Sequence, residues 1–477
     1  MNVPSYAFLG FAAVVAVLIN LHAGAGWRRA ILLGANLVFF VSLTRDPRQL
    51  IPFLGLLILG FLALKLMEWR KDKIVFVAAL ILIIATFVTL KRYVFVPPLL
   101  LLPTPYVIVG MSYVFFRVLH LVIDAYQDAL TDKVNLVSYA NYTLNFTALV
   151  AGPIQFYKDY RRTESQEPAP LDRKAIVRAV ERVISGFFKV SVISPALLLA
   201  HQVTLHSLHE SHALAQQIVD GVLLLSIFPV YIYFNFSGYV DFVIGVARFL
   251  RLELPENFNR PFFAVGVIDF WTRWHMTLSH WLKTYVYSPL LLSLMRRFPS
   301  RTVQGYCGVF AYFVTFFLVG VWHGQTAGFL VFGLLTGLGI SLNKAYELLL
   351  AHRLGSKRYL SLTANKLYVS ACRGLNFTWF SITMLWFWSS PEQLREIVSF
   401  LGTPAIGASC VLLWAAATVV LSALKALENV DRASATARAY PASPYLRTIW
   451  YTTLATLTIS VTIALNSPVP HIIYRAF

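Results

Sequence analysis

"TVQGYCGVFAYFVTFFLVGVWHGQTAGFLVFGLLTGLGISLN", residues 302–343, carries no formal charge between Arg301 and Lys344. A helix crosses a bilayer in about 20 apolar residues. The stretch is too long for one crossing and reads as two, joined by the turn "HGQTAG" at 323–328. That reading makes the chain a membrane protein and sets His323 beside the break. An ionisable side chain inside a span is costly and functional by default; at a turn it costs less.

The whole composition agrees. Hydrophobic residues make up 58% and charged residues 13%, against roughly 25% charged in a soluble domain. Aromatics reach 15%, as expected where Trp and Tyr line membrane interfaces. The formal net charge is +18, but the basic residues are scattered between apolar runs. The positive-inside rule explains that distribution better than nucleic acid does. Cys307, Cys372 and Cys410 sit in apolar surroundings without paired spacing, which argues against a disulfide framework or a zinc site. The N-terminus lacks the charged region of a cleaved signal peptide, so the first run is expected to be retained.

Expected spans are 6–21, 30–43, 51–66, 74–90, 218–236, 306–322, 326–342, 371–388, 404–424 and 449–466. Between them, 94–127 and 139–156 hold prolines that predict broken or re-entrant elements, since proline lacks the amide donor and clashes in a helix. Such backbone must be shielded by protein or line a wet cavity. Gly152-Pro153 is read as a helix breaker. The loops "WRR" (27–29) and "WRKDK" (69–73) are the more basic, which places them in the cytoplasm and Met1 outside. The polar loop 158–174 leads to Asp172, an N-cap for a helix with basic residues off its apolar face, read as interfacial. The fold class is therefore all-α and polytopic, with about eleven spanning or re-entrant helices. One membrane domain, 1–477, is the simplest organisation: N-terminal spans 1–92, a motif-bearing core 94–345, and C-terminal spans 366–477.

"LPENFNRPFFAVGVIDFWTRWHMTLSHWLKTYVYSPLL" (254–291) is neither a clean span nor an ordinary loop. On a helical wheel Trp271, Trp274, Leu278, Trp281 and Tyr285 form an apolar stripe. Arg273, Thr277, His280 and Thr284 form a polar one, flanked by His275, Ser279 and Lys283. A solvated interfacial helix would give the same pattern. Metal ligation is disfavoured: His275 and His280 are five apart, off one face, and no carboxylate or cysteine joins them. General-base chemistry fits better, because a sheltered imidazole stays neutral and can take a hydroxyl proton. No "GxSxG" elbow supports a serine hydrolase. Asp241 and Asp124 lie in apolar segments and are candidates to pair with Arg248, Arg117 or a histidine. Asn257, Asn259 and Arg260 read as a reverse turn.

Five ordered blocks, "GMSYVFFRVLHLVIDAYQ" (110–127), "ALVAGPIQFYKDYRR" (148–162), "FNFSGYVDFVIGVARFLRLELPENFNRPF" (234–262), "FWTRWHMTLSHWLKTYVYSPL" (270–290) and "GVWHGQTAGFLVFGLLTGL" (320–338), resemble the membrane-bound O-acyltransferase family. They cover roughly the middle half of the chain. The resemblance is to a bacterial branch similar to the D-alanyl-lipoteichoic acid transfer and alginate-type O-acetylation proteins. It implies that His323 is catalytic and His275 the second characteristic histidine, with Arg273, Trp274, Ser279 and Asn257 as candidate substrate-binding residues. It also implies helices ringed around a thin central tunnel. Thr284 and Thr336 stand where the family often has an acidic residue and a histidine.

On that resemblance the chain is expected to be a multi-pass protein of the bacterial cytoplasmic (inner) membrane. It would pass a D-alanyl or acetyl group from a cytoplasmic thioester to a hydroxyl of an envelope polymer or relay protein. No tightly bound cofactor or metal is implied. The donor would be a phosphopantetheine carrier protein or acyl-CoA; the other partners would be an extracytoplasmic acyltransferase or polymer acceptor and membrane lipid, with no nucleic acid. A transporter or flippase of a glycan or lipid-linked intermediate is the competing reading.

Overall fold

A computed structural model describes residues 1–22, 24–165, 171–210, 213–435 and 443–464. Its regular structure is helical, with no strand among the described residues. The chain divides into two compact units, each assembled from separate stretches of sequence.

The first unit takes residues 1–191, 235–256 and the segment from 454. It holds α1 (Tyr6–Asn20), α2 (Ala25–Val41), α3 (Ile51–Trp69), α4 (Lys73–Lys91), α5 (Met111–Tyr126), α6 (Leu136–Thr143), α7 (Tyr157–Ser165) and α8 (Arg173–Phe188). Helix starts follow local chemistry. Asp72 accepts from the amides of Ile74 and Val75, and Asp172 accepts from Ala175 N at 2.6 Å, as its N-cap role predicts. The rings of Phe39, Phe146 and Phe242 each lie within 5.8 Å of Phe8, at the buried centre of this unit.

Residues 144–155 are non-helical and buried. This is the broken element that the prolines predict, and its backbone is satisfied by side chains. Arg117 donates to the carbonyls of Thr143 (2.9 Å) and Ala148 (2.6 Å). Asn36 Oδ1 accepts from Phe146 N, and the Tyr239 hydroxyl accepts from Ala151 N. Irregular backbone away from water needs such partners. Gly152 is required by contact: a Cβ there would lie 2.3 Å from Ala148 Cα.

The second unit takes residues 192–234 and 257–453. α9 (Ser194–Glu210) belongs to it. α10 (Leu214–Phe249) contributes 214–234 to this unit and 235–249 to the first. Then follow α11 (Val267–Trp271), α12 (Met276–Leu282), α13 (Ser288–Arg297), α14 (Arg301–His323), α15 (Ala327–Ala364), α16 (Lys366–Trp388) and α17 (Pro391–Ala435); α18 (Pro444–Ala464) is divided after residue 453. The opening stretch is a helical hairpin, with α14 ending at His323 and α15 starting at Ala327. The two helices meet through glycines. A Cβ on Gly320 would lie 2.2 Å from Gly333 Cα, and one on Gly324 1.9 Å from the Phe329 ring.

Seven helices among the described residues are long and apolar enough to cross a membrane; the expected eleven also counted elements that only enter it. α1, α2 and α5 have 15, 17 and 16 residues, short of the roughly 20 a crossing needs. α16 and α18 are helices outside that set, and residues 465–466 of the last expected span lie outside the described residues. The helix after Asp172 is not a separate interfacial element. It continues through a π-turn at Lys189–Ile193 into α9, a helical run apolar enough to cross. Pro195 has no amide to bond the carbonyl four residues back, which accounts for the local irregularity. Residues 166–170 of the polar loop lie outside the described residues.

The acidic pairs also differ. Asp241 is bridged by Arg182 at 3.0 Å and Lys189 at 2.6 Å, both from the helical run after Asp172. Arg248 pairs with Glu253, and Arg117 serves backbone carbonyls. Finally, 271–285 is not one helix. It breaks at 272–275, restarts as α12, and passes through a second π-turn at Lys283–Tyr287.

Candidate active site

The site lies in the second unit and starts from a turn. Arg260 has φ 49°, and the chain reverses over Pro261–Phe263. The reversal lets 257–259 run beside 273–276: Met276 N donates to Asn257 O and Asn259 N to Arg273 O, both at 2.9 Å. His275 heads α12 with φ 44°, in the left-handed region that non-glycine residues rarely enter. Such a conformation costs on the order of 1–2 kcal/mol and needs support from its surroundings.

Asn257 supplies that support. Its side chain is fully buried. Its Oδ1 takes the amide of Thr277 (3.1 Å), the Thr277 hydroxyl (2.9 Å) and His275 Nδ1 (3.2 Å). The Thr277 amide can only donate, so the oxygen of Asn257 is the atom that faces it. An oxygen facing Nδ1 requires the proton on Nδ1 and leaves the lone pair of the neutral ring on Nε2. Asn257 Nδ2 is buried with no hydrogen-bond partner among the described residues. His275 is fully buried, and burial pushes its imidazole down to about 3, opposed by a hydrogen bond to its own backbone.

His323 ends α14 and is 3% exposed. The two histidines share one indole neighbour: the Trp322 ring centroid is 6.3 Å from that of His275 and 4.7 Å from that of His323. Phe332 from α15 and Phe387 from α16 close on His323 at 5.9 and 5.3 Å. Trp274, also buried, stacks on Phe270 and packs against Phe258, Phe262 and Phe380. The result is an apolar, aromatic enclosure around two imidazoles.

The other candidate residues are placed differently. Arg273 is ion-paired with Asp269 at 2.7 Å. The Ser279 hydroxyl faces Trp274 O at 3.5 Å. His280 is exposed while Thr277, one turn earlier on α12, is buried against Asn257. Sequence reasoning assigned no role to Trp322, Phe332, Phe387 or Thr277. Trp322 directly precedes His323, so adjacency was its only signal. Among the described residues no group of three or more His, Cys, Asp or Glu side chains could hold a metal.

Comparison with known proteins gives consistent results. The model of the "MBOAT, membrane-bound O-acyltransferase family" matches residues 106–382. A "Teichoic acid D-alanyltransferase" of Bacillus subtilis is 27% identical over 230 residues, 47% of this chain and 56% of that protein. A "Probable alginate O-acetylase AlgI" of Pseudomonas aeruginosa is 30% identical over 240 residues, 50% of this chain and 42% of that one. A "Peptidoglycan O-acetyltransferase" of Helicobacter pylori is 30% identical over 214 residues, 45% and 38% of the two chains. The chain thus spans about half the length of the curated relatives it matches.

Proposed function

The chain belongs to the membrane-bound O-acyltransferase family, and we propose that it passes a short acyl group, D-alanyl or acetyl, from a thioester to a hydroxyl of a cell-envelope polymer or relay protein. The observation that carries this reading is the pair of buried histidines that both lie beside Trp322. His323 takes the proton of the acceptor hydroxyl as its oxygen attacks the thioester carbonyl. The tetrahedral intermediate expels thiolate, and the imidazolium returns the proton to it. His275 offers Nε2 as an acceptor, which suits it to orienting the hydroxyl. Asn257 Nδ2 is a donor suited to the developing oxyanion. The aromatic walls keep water from the thioester, which limits hydrolysis.

The donor, a phosphopantetheine carrier protein or acyl-CoA, approaches from the cytoplasm, where the basic, aromatic segment 270–287 is its docking region. The acceptor is met on the other side of a bacterial cytoplasmic membrane, through a passage between the helices. In proteoliposomes with a labelled acyl thioester, His323→Gln is expected to lose at least about 100-fold of transfer. Transfer by that variant at the wild-type rate would falsify the catalytic assignment. Movement of an unmodified ligand without covalent transfer would instead point to a transporter.

A further inference from the structure

A cavity of about 530 Å³ in the second unit lies away from both histidines, between α15, α16 and the segment entering α11. It is within the roughly 300–1,000 Å³ of ordinary ligand pockets. A single glycine creates it. Gly355 has φ 72° and ψ 161°, in the middle of what would otherwise be one long helix. Unbroken, α15 would place Thr363 roughly 30 Å beyond Asn343. With the break, Tyr359 and Thr363 line the same cavity as Leu342 and Asn343.

The lining is amphiphilic. Leu342, Leu375 and Trp379 form an apolar wall, and Leu342 and Leu375 are each 60% exposed. These residues lie on α15, a candidate membrane span, and on its neighbour α16. The lining also includes Tyr346, Tyr359 and Tyr368, with the hydroxyls of Tyr346 and Tyr368 bonded at 3.1 Å. The carboxylates of the lining are already matched: Asp269 by Arg273 at 2.7 Å, and Glu347 by Asn343 at 3.2 Å and Lys344 at 3.7 Å. From Lys344 to Lys366 the chain carries five Lys or Arg and one Glu, a formal +4 with His352 neutral. Lys357 and Arg358 are exposed on the folded-back turn that presents Tyr359.

We propose that this cavity binds one anionic, phosphate-bearing lipid, its chain on Leu342, Leu375 and Trp379 and its phosphate at Lys357, Arg358 and Lys366. A hydrocarbon chain suits the apolar wall, and a basic rim attracts an anionic headgroup. The site is separate from the acyl-transfer chemistry. Neither histidine lines it, and a separate cavity beside it, lined by Thr336, Trp379, Phe380 and Thr383, holds only about 10 Å³, about room for a single water. Along α15, Leu342 stands roughly 15 Å from Phe332, the residue that touches His323. The proposal therefore does not depend on the acyltransferase reading.

The test is native mass spectrometry of the purified full chain with three probes: phosphatidylglycerol, phosphatidylcholine of the same chains, and a polyprenyl phosphate. Phosphatidylglycerol is expected to be retained about fivefold or more over phosphatidylcholine. Leu375→Trp, at an exposed position, fills the cavity and removes binding of both. Leu342→Trp does the same from the facing wall if the first variant is not monodisperse. Lys357→Glu with Arg358→Glu abolishes the preference while leaving phosphatidylcholine binding unchanged. Stronger retention of polyprenyl phosphate identifies a lipid-carrier ligand, and stronger retention of phosphatidylglycerol a bilayer lipid. Equal binding of both phospholipids by wild type, or unaltered binding by both tryptophan variants, overturns the proposal.

Discussion

At Asn257 one carbonyl oxygen takes three hydrogen bonds, so replacing it tests geometry and protonation together. Asn257→Leu leaves the Thr277 donors buried without their acceptor, at roughly 1–3 kcal/mol each. It also frees the His275 ring to turn, and misplacement on that scale costs about 100-fold in rate. Asn257→Asp keeps an acceptor opposite Nδ1 and should retain more activity than Leu. Its buried charge favours protonation of His275, so the pH profile of transfer should move upward only in the Asp variant. A purely structural role would reduce both variants alike and leave the profile in place. His275 has its own signature. Its folded imidazole titrates near 3 because of burial, below the unfolded value of about 6.5. The unfolded chain therefore takes the proton first. The contribution to stability is complete above about pH 6.5 and is lost as pH falls toward 3. Thermal melting should show His275→Asn losing less stability than wild type between about pH 6.5 and 4.5; parallel curves would refute this. Both buried histidines were candidates from the sequence, His323 through its uncharged surroundings and His275 through the resemblance of its block. The bond from His275 to Asn257 was not legible there, because it depends on a left-handed residue that closes a loop of eighteen positions, and a helical wheel assumes no such residue.

The α14–α15 hairpin rests on backbone contact. Gly320→Leu should separate the helices, since the side chain would meet Gly333 directly. Overpacking of this kind costs typically 1–3 kcal/mol, and it should lower the melting temperature and transfer together. Gly10, where an added Cβ meets nothing within 4 Å, is the control. In the first unit, Arg117→Met should be more harmful than a surface change, because the carbonyls of Thr143 and Ala148 would lose their donors away from water. Protease sensitivity within 144–155 is the readout; unchanged protection would remove Arg117 from this role. Composition announced the hairpin, because an uncharged run of that length allows little else. Prolines announced the irregular segment. They could not say which side chains hold it, because Asn36, Arg117 and Tyr239 come from three distant helices.

For the molecule as a whole, membrane class and all-helical architecture were readable from apolar run length alone. The lengths of individual helices were not, since hydropathy counts apolar residues while helices of 15 to 17 residues end early at caps and turns. Nor did the sequence reveal the two units, because they interleave: the chain passes from one to the other after residues 191, 234, 256 and 453. This interleaving has a consequence for biosynthesis. A ribosome that has delivered the first 191 residues has not delivered a unit able to finish folding. Residues 235–256 complete part of it, including Asp241, the partner of Arg182 and Lys189. The segment from 454, with Leu454 and Thr458 buried, arrives last. The earliest helices must therefore wait in the bilayer, incompletely packed, through most of translation. A chain stopped before residue 454 should show raised proteolysis in its first 191 residues rather than only near its new end.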